Sequence, residues 1–198
     1  MILEPSPLDK ASAQITRNRE MMSREFELNY RVRGDFLMRA VDLENQIANI
    51  ISLHFNPSTA PVRSGRRLQF LSVVMGSRNL GFQEKADMLK TILRQSYPHL
   101  KKKYSDKHLF SLIRKVIEHR NRLAHGKMIL GIPHIKGRPL DRIILERASG
   151  GRLIVEEITI EEANKKLLEA KAVFDLLFRL EIDLINEIGN TTDGGTTS

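Results

Sequence analysis

An arginine, an asparagine and a histidine stand close together in EHRNRLAHG, residues 118–126: they are Arg120, Asn121 and His125. A guanidinium grips oxyanions through a rigid fork of donors, and an imidazole exchanges protons near neutral pH. Side by side, such groups can hold an anion and move a proton next to it. The surrounding run, SDKHLFSLIRKVIEHRNRLAHG, sets Leu109, Leu112, Ile113, Val116, Ile117 and Leu123 at the spacing of one buried helical face. Arg120 falls four residues after Val116 and three before Leu123, inside that stripe. A buried guanidinium is very costly without a charged or hydrogen-bonding partner, so this helix end must hold something specific. Asn121 and His125 are four apart and share a face. Arg120 and His125 are about 140° apart around an ideal helix. They converge only because arginine is long and because Gly126 stands where a C′ glycine would stop the helix.

The elements that must position these residues are mostly helices. Residues 1–34 read as an N-terminal helical arm that Gly34 interrupts. Residues 35–55 form a strong amphipathic helix with Leu37, Ala40, Val41, Ile47 and Ile51 along its stripe. Glu44 sits in that same stripe, and a carboxylate there is as odd as Arg120 is in its own helix. A loop through Pro61 to Arg67 follows, and then LQFLSVVM, a short apolar run that pattern alone leaves open between helix and strand. GFQEKADMLKTILRQSY predicts another helix, ended by Pro98, and HLKKKYSDK reads as a basic loop. Ser105 is the predicted N-cap of the central helix. The period then changes: residues 141–158 read as a β-hairpin about Gly150 and Gly151. Thr159 and Glu162 make a capping box that opens a last long helix, running to about Glu187. The tail, residues 189–198, has nothing to bury and is expected to be disordered.

Four or five such helices pack as an up-and-down bundle. The expected fold is therefore mainly all-α, with a bundle over residues 35–188 and a small β-hairpin before the last helix. Apolar residues make up 41% of the 198 and charged residues 28%, ordinary values for a globular chain. The absence of cysteine excludes disulfides and thiolate metal sites and leads us to expect a reducing cytoplasm. His54, His99, His108 and His134 have no ligand spacing with carboxylates, so neither a metal nor a cofactor is expected. No apolar stretch is long enough to span a bilayer, and the opening MILEPSPLDK has no secretory pattern, so no membrane association is expected. The net charge of +8 favours anionic partners, nucleic acid first.

The EHRNRLAHG ending resembles the signature of the HEPN superfamily of small helical bundles. That signature is an arginine, usually followed by Asn, Asp or His, with a histidine a few residues on at a helix end. Glu44 in the first long helix and the FQEKADMLKTIL helix are also similar to the family, and the resemblance covers roughly residues 35 to 185. It tips LQFLSVVM towards helix. Many HEPN domains are metal-independent RNA endonucleases, often dimeric toxins or phage-defence effectors. The resemblance thus implies that His125 is the general acid or base, that Arg120 steadies the phosphorane, and that Asn121 orients the imidazole or the phosphate. Glu44 would hold Arg120 in place. RNA, a second copy of the chain and an antitoxin or regulatory protein are the implied partners. Lys101, Lys102, Lys103 and Arg122 would track the RNA backbone, with Tyr104 stacking a base. In some toxin members a modified tyrosine lies two residues past the histidine; here that position is Lys127. The competing reading is an inactive HEPN module, in which Arg120 pairs with Glu44 and His125 caps the last carbonyls of its helix.

Overall fold

The computed structural model describes residues 7–56, 68–77, 80–128, 142–149 and 151–193. The chain is mainly helical, with a small antiparallel hairpin before the last helix. In order, the elements are α1 (Pro7–Phe55), a π-helical turn (Phe70–Met75), α2 (Phe82–Ser96), α3 (Pro98–Ser105), α4 (Leu109–His125), β1 (Lys127–Met128), β2 (Arg142–Ser149), β3 (Arg152–Thr159) and α5 (Ile160–Asp193). The expected loop at 61–67 lies outside the described residues, as do Gly150 and residues 194–198. The chain divides into two compact units, one of residues 36–120 with 166–198, the other of residues 1–35 with 121–165.

The first unit is a helical bundle. On α1 the buried residues include Phe36, Ala40, Leu43, Ile47, Ile50 and Ile51, a three-and-four spacing that turns one face inward; of the expected stripe, Leu37 is only half-buried and Val41 is exposed, because the buried face is centred towards Phe36, Leu43 and Ile50. Leu89 and Leu93 of α2, Leu109 and Ile113 of α4, and Val173, Leu177, Leu180 and Leu184 of α5 complete its core. Each fully buried aliphatic side chain contributes about 2 kcal/mol of transfer free energy. LQFLSVVM is helical, ending in the π-helical turn with Met75 buried.

Three expectations are corrected in the helices. Gly34 does not interrupt α1, which runs through it to Phe55. An interior glycine costs only about 1 kcal/mol relative to alanine, too little to break a helix with strong formers on both sides. The stretch from Pro98 to Ser105 is helix α3, not a loop. Pro98 starts it, since proline is tolerated in a first turn where its missing N–H would go unused. Leu100 and Tyr104, four apart, are its buried pair. Ser105 therefore ends α3 instead of capping α4. The bend falls at His108, at a left-handed φ of 56°, whose carbonyl accepts from the Leu112 N–H at 3.0 Å. Finally, α5 runs on to Asp193, so residues 189–193 of the expected tail are helical.

The second unit holds the sheet, in the order β1-β2-β3 and antiparallel throughout. Ser149 pairs with Arg152 across the turn, and Gly151 takes a φ of 76° that suits glycine. Strand β1 was not foreseen; its Lys127 and Met128 pair with Glu146 and Leu145 directly after α4 ends. The capping box is formed as expected: the Glu162 N–H donates to Thr159 Oγ1 at 3.0 Å, and the Thr159 N–H donates to Glu162 Oε2 at 2.9 Å.

Candidate functional site

The motif residues lie on the last two turns of α4. Arg120 closes the first unit and Asn121 opens the second, so each is placed within its own unit. Arg120 is half-buried and engaged with its surroundings. Its neighbour His119 is buried. Its ring meets Phe36 edge-on, with centroids 4.5 Å apart. The sequence reading set Arg120 beside Glu44; the cation that the structure places on Glu44 is Lys85, with Nζ donating to Oε1 at 2.6 Å. Side-chain exposures of 8% for Lys85 and 22% for Glu44 make this a largely buried ion pair.

In the second unit Asn121 and His125 are exposed, while Leu123 is buried between them. His125 is the last residue of α4, where a basic side chain also suits the helix dipole. The backbone around it is closely held. Arg33 Nη2 donates to the Ala124 carbonyl at 3.2 Å, and the Gly126 N–H donates to the Arg122 carbonyl at 2.9 Å. A Cβ at Gly126 would lie 2.8 Å from the Arg122 oxygen and 3.2 Å from Leu145 Cβ. Glycine stops the helix here through close approach and not through the left-handed conformation expected of a C′ residue; among the described glycines only Gly151 has positive φ. Sequence reading missed Arg33, because nothing in an arm of mixed charges marks one arginine as reaching a helix end.

The residues assigned to RNA contact are differently placed. Arg122 donates from Nε to Glu156 at 2.9 Å, its Nη2 lies 2.8 Å from the same oxygen as an ion pair, and Arg147 donates to the same carboxylate at 2.7 Å. Burial alone would raise the pKa of Glu156; the two arginines outweigh that and hold it below its usual value. Lys101 is half-buried and Lys102 exposed, both on α3. Lys103 pairs with Asp183 of α5 at 2.7 Å. Tyr104 is wholly buried and cannot stack a base; its hydroxyl donates to Asp183 Oδ2 at 2.6 Å. Burial first, then Asp183, push the Tyr104 pKa well above its usual value.

Asp183 carries a pH dependence. Burial would raise its pKa, but hydrogen bonds from Lys103 and Tyr104 hold it below the usual value. A depressed folded pKa means that the stabilisation is complete above the unfolded value near ~3.9 and is lost as pH falls through the folded value. Asp183→Asn should therefore flatten the loss of stability below about pH 4. Urea unfolding midpoints at a series of acid pH values read this directly. Parallel wild-type and variant curves would remove Asp183 from the account of acid sensitivity.

Among the described residues no group of three or more His, Asp or Glu is placed to hold a metal ion, and no helix is long and apolar enough to cross a membrane. Compared with protein-family models, curated proteins and solved structures, the chain matches none.

Proposed function

We propose that the chain is a metal-independent RNA endonuclease of the HEPN type, acting as a homodimer in a toxin or phage-defence setting in the cytoplasm. The resemblance of the EHRNRLAHG motif supports this, and one observation carries it further: His125 is exposed at the end of α4 on a backbone fixed by Arg33 and Gly126. In the proposed reaction the 2′-hydroxyl oxygen attacks the adjacent phosphorus as a base takes its proton. The O2′–P bond forms, the P–O5′ bond breaks, and the leaving 5′-oxygen takes up a proton. His125 serves as that base or acid, and Arg120 steadies the negative charge that builds on the phosphorane. Asn121 orients the imidazole or the phosphate. An antitoxin or regulatory protein would restrain the activity.

The chemistry predicts the products. RNA incubated with the purified chain in EDTA should be cut to fragments ending in 2′,3′-cyclic phosphate, resolved by end-group analysis. Cleavage that stops in EDTA and returns with a divalent cation would overturn the mechanism.

A second reading draws on the internal bonding of the presumed RNA contacts. Arg122 and Lys103 spend their charge on Glu156 and Asp183, and Tyr104 is buried. That favours a HEPN module without catalysis, binding protein or nucleic acid through the residues around the motif. It predicts no turnover of any RNA.

A further inference from the structure

In the second unit, helix α1 holds an aromatic pair out in solvent. The Phe26 and Tyr30 rings lie 5.1 Å apart between centroids, tilted by 32°, and the residues are 45% and 63% exposed. Of the three tyrosines, Tyr104 is buried and Tyr97 sets its hydroxyl 3.2 Å from His54 Nδ1; Tyr30 alone keeps its ring mostly in water. Rings carry much apolar area, so a pair left in water is a surface kept for contact. Arginines flank it. Arg19 comes seven residues before Phe26 and Arg33 seven after, with Tyr30 between, so all four lie within about 60° of arc on one face. Glu20 and Glu27, the described carboxylates of this stretch, lie roughly 100° or more round from Phe26. The face ends at the motif, where Arg33 Nη2 donates to the Ala124 carbonyl at 3.2 Å, just before the exposed His125.

We propose that this face of α1 binds single-stranded RNA: unpaired bases stack on Phe26 and Tyr30, Arg19 and Arg33 hold the phosphates on either side, and the strand runs along α1 to His125. Every base has a π-face, so stacking on the pair needs no particular sequence, whereas in a duplex those faces are already covered by neighbouring bases. The guanidinium fork matches phosphate oxygens, and the Ala124 bond uses one of the five N–H donors that Arg33 has. Leu8 and Ile15 continue the face outward at 82% and 57% exposure, and on apolar area alone a protein would compete for it. Two arginines with no described carboxylate beside them decide for a polyanion. The face also supplies what α3 and Arg122 do not, since Lys103 and Arg122 are paired internally and Tyr104 is buried.

The ligand class rests on the ribonuclease reading, so binding is measured apart from cleavage. The full chain carrying His125→Ala is titrated into a fluorescent single-stranded RNA of about twelve nucleotides and followed by anisotropy. Phe26→Ala and Tyr30→Ala, each added to it, should raise Kd at least about fivefold, and Tyr30→Trp should keep the affinity. Arg19→Gln should reduce the slope of log K against log salt by about 0.7, the share of one single-strand phosphate contact. A duplex of the same sequence should bind without responding to Tyr30→Ala. These side chains are exposed, so circular dichroism should be unchanged throughout. Single-strand binding indifferent to both ring deletions would overturn this surface while leaving His125-dependent cleavage standing. A wild-type chain that neither binds nor cuts RNA would overturn both. Ring deletions that change the sedimentation of the chain but not its RNA affinity would assign the face to a protein contact and overturn the proposal as well.

Discussion

His125→Ala should lower RNA cleavage at least about a hundredfold while leaving thermal stability within about 0.5 kcal/mol of wild type. The two halves of that expectation have separate grounds. On the proposed mechanism the imidazole carries the proton between the 2′-hydroxyl and the leaving oxygen, and a methyl group cannot. On the structural side His125 is exposed and its backbone is held by Arg33 and Gly126, so removing the ring opens no cavity. Arg120→Lys is the companion variant: it keeps the charge but loses the planar fork that matches phosphate, so cleavage should fall here also. Rates on an end-labelled RNA, beside melting curves of the same preparations, check both. A His125→Ala chain that cuts at the wild-type rate would dispose of the catalytic assignment.

The largest stability effect should come from Lys85→Met, at about 3 kcal/mol. Methionine keeps most of the aliphatic stem that packs inside the bundle but removes the ammonium from Glu44, leaving a carboxylate with 22% exposure and no cation from α2. Breaking a buried pair from one side is far more damaging than removing both charges, since it strands one of them. The double variant E44L/K85M should therefore recover most of the loss. Urea unfolding of the three chains reads it out. A loss under about 1 kcal/mol for Lys85→Met would mean that water solvates Glu44 well enough without its partner.

How far the residues foretold this arrangement depends on how many turns of pattern each element offers. Helix α2 and the core of α1 repeat their stripes over several turns, and they were legible. The capping box and the glycine turn were legible because each is a short-range pattern with a specific hydrogen-bonding reason. Helix α3 was not: eight residues hold only one buried pair, Leu100 with Tyr104, set among three lysines. Strand β1 was not either, since two residues have no period to read. Glu44 shows a different limit. Its place in a core stripe demanded a partner, and that inference was sound, but Lys85 satisfies the same test as Arg120. It falls three residues after Phe82 and four before Leu89. Stripe membership shows that a charge needs a partner; only the packing of α1 against α2 shows which one it has. His119 gave no sequence signal beyond lying next to the motif, because burial next to Phe36 depends on a residue 83 positions away.

Gly126 has a consequence for freedom of movement. The helix hydrogen bond from its N–H, the close Leu145 side chain and the pairing of Lys127 with Glu146 fix the peptides on both sides of His125. The imidazole keeps two torsions and little else. Immobilising such a side chain against a bound molecule costs about 1 kcal/mol, whereas a loop in the same place would add the entropy of several backbone angles. Any molecule that comes to the end of α4 therefore meets a histidine whose reach is already narrowed to a small cone.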